Sequence, residues 1–162
     1  LVVAALGAAS WSLCERGQNL IFIAEWSFKV FLCRVYYVRL LSDNQKFSWS
    51  NDLVLEFDYQ RALKKNAVIE ASAKEMRRQK GVTEKQLSKW QTYLQLAIKP
   101  AEKATKASLY WTAEGRITFY YDGVKTVTIE DADFARAFLN IWLGPDTSEP
   151  ELRRAVLGKN AN

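Results

Sequence analysis

Histidine is absent from this chain of 162 residues. Because histidine is the commonest base and a common metal ligand near neutral pH, its absence excludes triads with a histidine base and most zinc sites. Cysteine is scarce, and Cys14 and Cys33 do not have the spacing of metal ligands. We therefore predict two free thiols, with a disulfide between them left open. No metal, no cofactor and no catalytic residue is predicted.

Proline and glycine are also few, and residues 20–41 contain neither. This segment is rich in β-branched and aromatic side chains, which favour extended structure. It is longer than an ordinary strand, because at about 3.3 Å per residue it would reach about 70 Å. We therefore expect a bend or bulge between Glu25 and Lys29 that gives two strands or one sharply coiled strand.

Large apolar side chains are abundant: 49% of the residues are hydrophobic, including six Trp, seven Tyr and eight Phe. A chain of this length can bury an aromatic-rich core, and one α+β domain is expected. The net charge of +5 comes mostly from predicted helices between residues 64 and 106. Such a basic surface is usually solvated, and the alternatives are peripheral contact with an anionic membrane or with an acidic partner. It lacks a DNA- or RNA-binding signature, so nucleic acid is not an expected partner.

The N-terminal residues from Leu1 to Ser12 are small and apolar. They are similar to the tail of a secretory signal peptide, and the stretch is too short to span a bilayer. We expect a signal-peptide and leader remnant over residues 1–19, a domain over 20–158 and a tail over 159–162. The expected location is periplasmic or secreted. If the segment is instead the frayed helix of a cytosolic protein, the location is cytoplasmic.

The middle of the chain predicts a strand followed by two helices. The segment from Leu53 to Tyr59 alternates apolar and polar residues, as a half-buried strand does. Residues 63–78 have apolar positions at helical spacing. Thr83 and Gln86 form a capping box for a second helix. We expect the two helices to pack as an antiparallel pair.

A β-meander and an aromatic helix follow. Residues 107–129 predict three strands, with a hairpin signal at Asp122-Gly123. Phe134, Phe138 and Trp142 then recur at every fourth position, which places three rings on one face of a helix. A Gly-Pro pair ends this helix.

Ser148 offers an N-cap hydroxyl for a last helix from Glu149 to Leu157, with Glu151 three residues after it. Together the elements indicate an α+β fold in which a large antiparallel β-sheet is covered on one side by a helical layer.

The order of elements and three segments resemble the bacterial chalcone isomerase-like family. The segments are CRVYYVRLLS, EASAKEMRRQ and YDGVKTVTIEDADFARAFLNIWLGPDTSEPELRRAVLG. The first is similar to the family's Lys-Val-Tyr-Asp-Ala-x-Leu-Tyr strand. The resemblance covers residues 25–158 and implies a ligand cleft between the sheet and the helices.

The resemblance implies two activities. Plant chalcone isomerases close a flavanone ring, and their cleft contains an Arg, a Thr, a helical Tyr-x-x-Lys-x-x-x-Asn set and a C-terminal Ser or Thr. Here Ser148 is similar to that last hydroxyl, whereas no Tyr-x-x-Lys-x-x-x-Asn set exists between Tyr59 and Tyr93. The fatty-acid-binding relatives hold a carboxylate with an Arg and a Tyr. Tyr36 matches that Tyr, and their Arg falls near Ile23.

Strand alternation proposes Arg34 as the local substitute, because it shares the apolar face with Tyr36. An Arg and a Tyr hydroxyl in an apolar cleft can hold a carboxylate by charge-assisted hydrogen bonds. The other reading is a bulge that shifts the register by one residue, so that Arg34 faces solvent or pairs with Glu56 or Asp58. Tyr93 on the second helix is a further candidate for the same cleft.

The predicted ligand-binding residues are therefore Arg34, Tyr36, Tyr93 and Ser148. The predicted function is non-catalytic binding of a small apolar carboxylate, such as a fatty acid, by a monomer. The alternative is an isomerase or intramolecular lyase of the chalcone isomerase type, which needs an Arg in the cleft to polarise a carbonyl.

Overall fold

The computed structural model describes residues 20–30 and 33–157. Its elements in chain order are β1 Ile21–Val30, β2 Cys33–Ser42, β3 Leu53–Tyr59, α1 Lys65–Arg77, α2 Glu84–Ala97, β4 Lys106–Trp111, β5 Ile117–Tyr121, β6 Val124–Ile129, α3 Ala132–Leu143 and α4 Pro150–Leu157. The six strands form one antiparallel sheet in the order of the sequence. The predicted α+β fold is confirmed.

The long extended segment is two antiparallel strands, β1 and β2. The expected division between Glu25 and Lys29 is wrong, because β1 continues to Val30 and Val30 pairs with Cys33. A register shift does lie between Phe28 and Lys29. The expected bulge is therefore present, whereas the division into two strands lies after Val30.

Helices α1 and α2 form the expected antiparallel pair between β3 and β4. Arg77 near the end of α1 bonds to Glu84 at the start of α2, with 2.7 Å between Nε and Oε1. At the other end of the pair, Lys65 Nζ donates to the Gln95 carbonyl at 2.7 Å. The capping box of α2 is present, with Thr83 Oγ1 accepting from the Gln86 N–H at 3.2 Å.

The aromatic helix α3 packs its rings against the sheet. Phe134 and Phe138 are buried, whereas Trp142 is half-buried. The Phe138 ring contacts Phe119 of β5 at 5.2 Å between centroids. The hairpin signal is confirmed, because Asp122 and Gly123 both have positive φ, 47° and 79°.

The last helix begins one residue later than predicted, at Pro150, so Ser148 is not its N-cap. Proline is favourable at the first helical position because its missing N–H needs no partner there. The neighbouring Thr147 makes the local hydrogen bonds instead: its Oγ1 accepts from the Glu149 N–H at 3.1 Å and donates to the Ile141 carbonyl at 2.7 Å.

No helix in the described ranges is both long and apolar enough to cross a bilayer. The N-terminal residues that predict a signal peptide, together with Cys14 and the tail, lie outside the described part of the chain. Cys33 is exposed at the start of β2 and is a free thiol.

Candidate functional site

A cavity of about 470 Å³ lies between the inner face of the sheet and the helices α1 and α3. Its walls are mainly apolar, and pockets of this kind and size are typical small-molecule sites. The apolar residues that line it are Phe28, Val35, Phe57, Leu63, Ala67, Val68, Ala71, Ile98, Ala107, Leu109, Phe119, Phe138, Ile141 and Trp142. The arrangement can enclose an apolar molecule and shield it from water.

Tyr36 and Trp142 form a hydrogen-bonded pair at one end of the cavity. The Trp142 Nε1–H donates to the Tyr36 hydroxyl at 2.9 Å, which joins β2 to α3. The Tyr36 ring also stacks on Phe28, with 5.0 Å between centroids. Burial raises the pKa of Tyr36, and the carboxylates of Glu149 and Glu75 raise it further against the opposing effect of the Trp142 bond. The Tyr36 hydroxyl therefore remains neutral and has a proton to donate.

Two carboxylates line the same end, Glu75 from α1 and Glu149 from the residues before α4. Glu75 Oε2 is buried and has no hydrogen-bond partner in the described structure, and it forms a long ion pair with Arg78 Nε at 3.9 Å. Burial raises the pKa of Glu149, and the charge on Glu75 adds to the effect. This end of the cavity is therefore acidic.

Tyr59 and Tyr121 also line the cavity, and the Tyr59 ring packs on the Tyr36 ring with 6.0 Å between centroids. Burial raises the pKa of Tyr59, and its neighbours Tyr121 and Tyr36 raise it further. Burial likewise raises the pKa of Tyr121, although a backbone hydrogen bond with Lys99 acts against it. Both phenols are neutral near pH 7 and can hydrogen-bond to a ligand.

Arg61 and Lys74 are the cationic side chains among the described residues that line the cavity. Both are exposed, so they lie at its rim. Arg61 follows the end of β3, two residues after Tyr59, whereas Lys74 lies in the last turn of α1 beside Glu75. The rim therefore offers charged groups to the polar part of a ligand.

Arg34 does not line the cavity, which corrects the predicted Arg34–Tyr36 pair. In the paired register, Phe28 is opposite Tyr36 and Lys29 is opposite Arg34, so Val35 is an extra residue on β2. The bulge turns Val35 toward the cavity and Arg34 toward solvent. The Arg34 guanidinium donates to the Tyr37 hydroxyl and lies 4.7 Å from the centroid of that ring.

Neither of the acidic partners considered for Arg34 bonds to it. Glu56 pairs with Arg39, with 2.5 Å between Oε2 and Nη2, and Asp58 pairs with Lys106 Nζ at 2.5 Å. The bulged register with a solvent-facing Arg34 is the one that the structure adopts.

Of the other predicted site residues, some line the cavity and one does not. Tyr36 and Ser148 line the cavity. Tyr93 does not: its ring packs on Phe134 at 5.2 Å between centroids, and Lys89 Nζ lies 5.6 Å from its centroid. Tyr93 therefore belongs to the contact between α2 and α3 rather than to the cavity.

The sequence analysis missed Tyr59, Arg61 and Glu75 as cavity residues. Tyr59 could have been found, because it alternates with Phe57 and Leu55 on the apolar side of β3. Arg61 follows the strand, where alternation no longer applies. Glu75 lies one turn after Ala71 on the same face of α1, but one sequence does not show that this face covers a cavity rather than a filled core.

Among the described residues, no group of three or more histidine, cysteine or acidic side chains could hold a metal ion. The site is therefore built from aromatic, aliphatic and a few charged groups.

Comparisons with known proteins agree on the fold. A family model described as chalcone isomerase-like matches residues 24–158. Among solved structures, the crystal structure of the fatty-acid binding protein of Arabidopsis thaliana is similar to the chain with a TM-score of 0.58 and 10% identity. The match covers 86% of this chain and 85% of that one. No curated protein sequence gives a significant match.

Proposed function

Because the chain belongs to the chalcone isomerase-like family, we propose that it binds one small apolar molecule, such as a fatty acid, in the cavity between its sheet and helices. The observation that supports this proposal most is the cavity itself, about 470 Å³ in volume and lined mainly by aromatic and aliphatic side chains. Burying an apolar chain there removes it from water at about 25 cal/mol per Å² of apolar surface.

The polar groups around the cavity can hold the polar part of a ligand. Burial raises the pKa of Tyr36, Tyr59 and Tyr121, so their hydroxyls are neutral and can hydrogen-bond to a bound molecule. The similar Arabidopsis structure is of a protein named for fatty-acid binding, which supports the same ligand class.

Native mass spectrometry of the protein as purified tests the proposal. We expect a retained apolar ligand that organic extraction removes. In Ala107→Phe, a ring replaces a small side chain on the cavity floor, and retention should fall. Ser88→Phe is the matched control, because it adds the same ring at an exposed position of α2 outside the cavity.

Retention by Ala107→Phe at the level of the unsubstituted chain would contradict the proposal. Circular dichroism must show that both variants fold, so that loss of ligand is not loss of structure. An equal loss of ligand in Ser88→Phe would show that the cavity is not responsible for retaining the ligand.

The proposal also has a finer part. It holds that the protein contacts membranes, is a monomer and has a secreted or periplasmic location. Exposed Lys74, Lys80 and Lys85 on and around α1 and α2 support contact with an anionic surface. Sedimentation with anionic vesicles at low and high salt tests the contact, which should weaken as salt screens the charges.

A further inference from the structure

A cluster of aromatic and cationic side chains lies outside the cavity, where the end of β4 and the start of α3 meet the loop between β2 and β3. Trp111 ends β4, Arg136 lies in the second turn of α3, and Trp49 belongs to the loop. Trp111 pairs with Leu53, the first residue of β3, which brings the loop beside the end of β4. The cavity lining includes none of these four residues.

The Trp49 ring connects the members of this cluster. The Arg136 guanidinium lies over the ring, with 3.5 Å between Cζ and the ring centroid. The same ring meets the Trp111 ring edge to face, with 5.5 Å between centroids. The contact with an aromatic face attracts a cation, but the N–H groups of a guanidinium still need acceptors. The stack therefore positions the charge of Arg136 without neutralising it.

Three hydrogen-bonding groups of the cluster are buried and lack a partner among residues 20–30 and 33–157. They are Nε of Arg136, Nε1 of Trp111 and Oγ1 of Thr112, the residue after β4. Trp111 is only 5% exposed, so bulk water does not satisfy its N–H. Leaving a buried donor without an acceptor costs free energy, and native proteins seldom do so. All three groups can donate, so they point to an acceptor from outside the described residues.

Arg136 also lacks an anionic partner in the described part of the chain. Asp133, one turn earlier on α3, is exposed and forms no ion pair with it. Asp52, at the end of the loop, already accepts from the Tyr110 hydroxyl at 2.9 Å and from the Ala113 N–H at 3.1 Å. Burial lowers the pKa of the Arg136 guanidinium, which still carries its charge at neutral pH. A partly buried cation without a counter-ion is costly, and an anion bound beside it would offset that cost.

We propose that this cluster binds a phosphate group, with the Arg136 guanidinium as its counter-ion and the Trp111 N–H and Thr112 hydroxyl as further donors. The donors come from a helix and from the end of a strand, and the tetrahedral oxygens of a phosphate can accept from several directions. Arg136 and Trp49 are half-buried, so the site opens to solvent. The phosphate can therefore belong to a small soluble molecule or to a lipid head group. This inference goes beyond the proposed function, because the cavity has no part in it.

NMR observation of the tryptophan indole N–H groups tests the site directly. Inorganic phosphate is titrated into the protein at constant ionic strength, with chloride as the control anion. The Trp111 resonance is identified by its loss in Trp111→Phe. We expect this resonance to shift with phosphate until the site is saturated, and not to shift with chloride.

Variants of the donors show whether they hold the anion. Arg136→Gln should weaken phosphate binding about tenfold or more, and Thr112→Val should weaken it about threefold. Arg116→Gln is the matched control, because Arg116 lies beside the same turn and pairs with Glu114, with 2.7 Å between Nη2 and Oε2. Its phosphate affinity should stay within about twofold of the unsubstituted chain.

Thermal unfolding separates binding from folding. Phosphate should raise the melting temperature of the unsubstituted chain and of Arg116→Gln, and it should not raise that of Arg136→Gln. Circular dichroism shows whether each variant folds. If Arg136→Gln does not fold, Thr112→Val supplies the same comparison, because valine keeps the shape of the side chain and removes only the hydroxyl.

Sedimentation with phosphatidylcholine vesicles, with and without phosphatidic acid, distinguishes the two sources of phosphate. Sedimentation that requires phosphatidic acid and is lost in Arg136→Gln, but not in Arg116→Gln, assigns a lipid head group to the site. Binding of inorganic phosphate without such sedimentation assigns a soluble phosphate compound. The absence of a saturable shift with phosphate, an equal shift with chloride, or an unchanged affinity in Arg136→Gln would overturn the proposal.

Discussion

At the scale of single residues, the extra residue Val35 decides which side chains of β2 reach the cavity. Alternation correctly places Tyr36 on the inner face, but it also places Arg34 there, and the bulge reverses that assignment. A bulge changes the face of every residue beyond it. Its position depends on pairing with β1, which a sequence pattern within one strand does not contain.

Removing the hydroxyl of Tyr36 should destabilise the protein. In Tyr36→Phe, the Trp142 Nε1–H loses its acceptor at 2.9 Å, so the free energy of unfolding should fall by about 1 kcal/mol. Tyr37→Phe is the control on the next residue, where the hydroxyl bonds to exposed Arg34 and little change is expected. Chemical denaturation of both variants checks the difference. Equal stabilities would show that the Tyr36–Trp142 bond contributes nothing.

The raised pKa of Glu149 predicts that the stability of the protein depends on pH. Burial and the charge on Glu75 raise the pKa of its carboxyl in the folded state, so the folded chain takes up this proton at a higher pH than the unfolded chain. The contribution of Glu149 to stability therefore falls as pH rises through the folded-state pKa. Glu149→Gln should be more stable than the unsubstituted chain at neutral pH, and the difference should shrink toward acid pH.

Thermal unfolding of both chains over a pH series measures the effect of Glu149. A difference in stability that stays constant, or that grows as the pH falls, would contradict the burial of this carboxyl. Glu70→Gln, exposed on α1 and outside the cavity, serves as the control.

At the scale of elements, the sequence predicted the start of a helix best where the residues that cap it lie close together in the sequence. The capping box at Thr83 needs residues three apart, and the structure contains it. Ser148 fits the same kind of pattern, yet the helix begins at Pro150 because Thr147 satisfies the local backbone groups. Local sequence offers several possible caps, and the packing of the loop selects among them.

The start of α3 provides a prediction at this scale. Asp131 Oδ1 accepts from the Phe134 N–H at 3.0 Å, and Oδ2 bonds to Lys89 Nζ at 2.7 Å. Asp131→Ala should therefore lower the free energy of unfolding by about 1–2 kcal/mol. Asp133→Ala, at an exposed position in the same turn, should cost much less. Denaturant titration that gives equal losses would contradict the cap.

The stabilisation by Asp131 also depends on pH. Burial acts to raise the pKa of this carboxyl, but the hydrogen bonds from Lys89 and Phe134 outweigh it and keep that pKa below its usual range. The contribution is therefore present above the unfolded-state pKa and is lost as the pH falls through the folded-state pKa. The difference in free energy of unfolding between Asp131→Ala and the unsubstituted chain should therefore become smaller as the pH falls.

At the scale of the whole molecule, the order of elements was enough to predict the sheet with its helices. Neighbouring strands of the sheet are consecutive in the sequence, and this includes β3 and β4, which are separated by α1 and α2. The cavity was predicted only from the resemblance to the chalcone isomerase-like family. Whether helix and sheet faces meet as a filled core or leave a space depends on their separation, which apolar spacing does not specify.

The whole cavity also predicts the outcome of an enzymatic assay. Arg34 lies outside it, and the chain lacks the Tyr-x-x-Lys-x-x-x-Asn set. We expect chalcone cyclisation at the spontaneous rate, measured by absorbance with and without protein. Acceleration that is proportional to protein concentration and is lost in Arg61→Gln would support the isomerase alternative instead.

Calorimetric titration of decanoate into ligand-free protein at several temperatures tests the central claim most directly. The account predicts saturation at one ligand per chain and a negative heat-capacity change, which is the signature of apolar surface removed from water. Ala107→Phe should weaken this binding, and Ser88→Phe should not. The absence of saturable binding, or equal binding by the unsubstituted chain and Ala107→Phe, would contradict a ligand in this cavity.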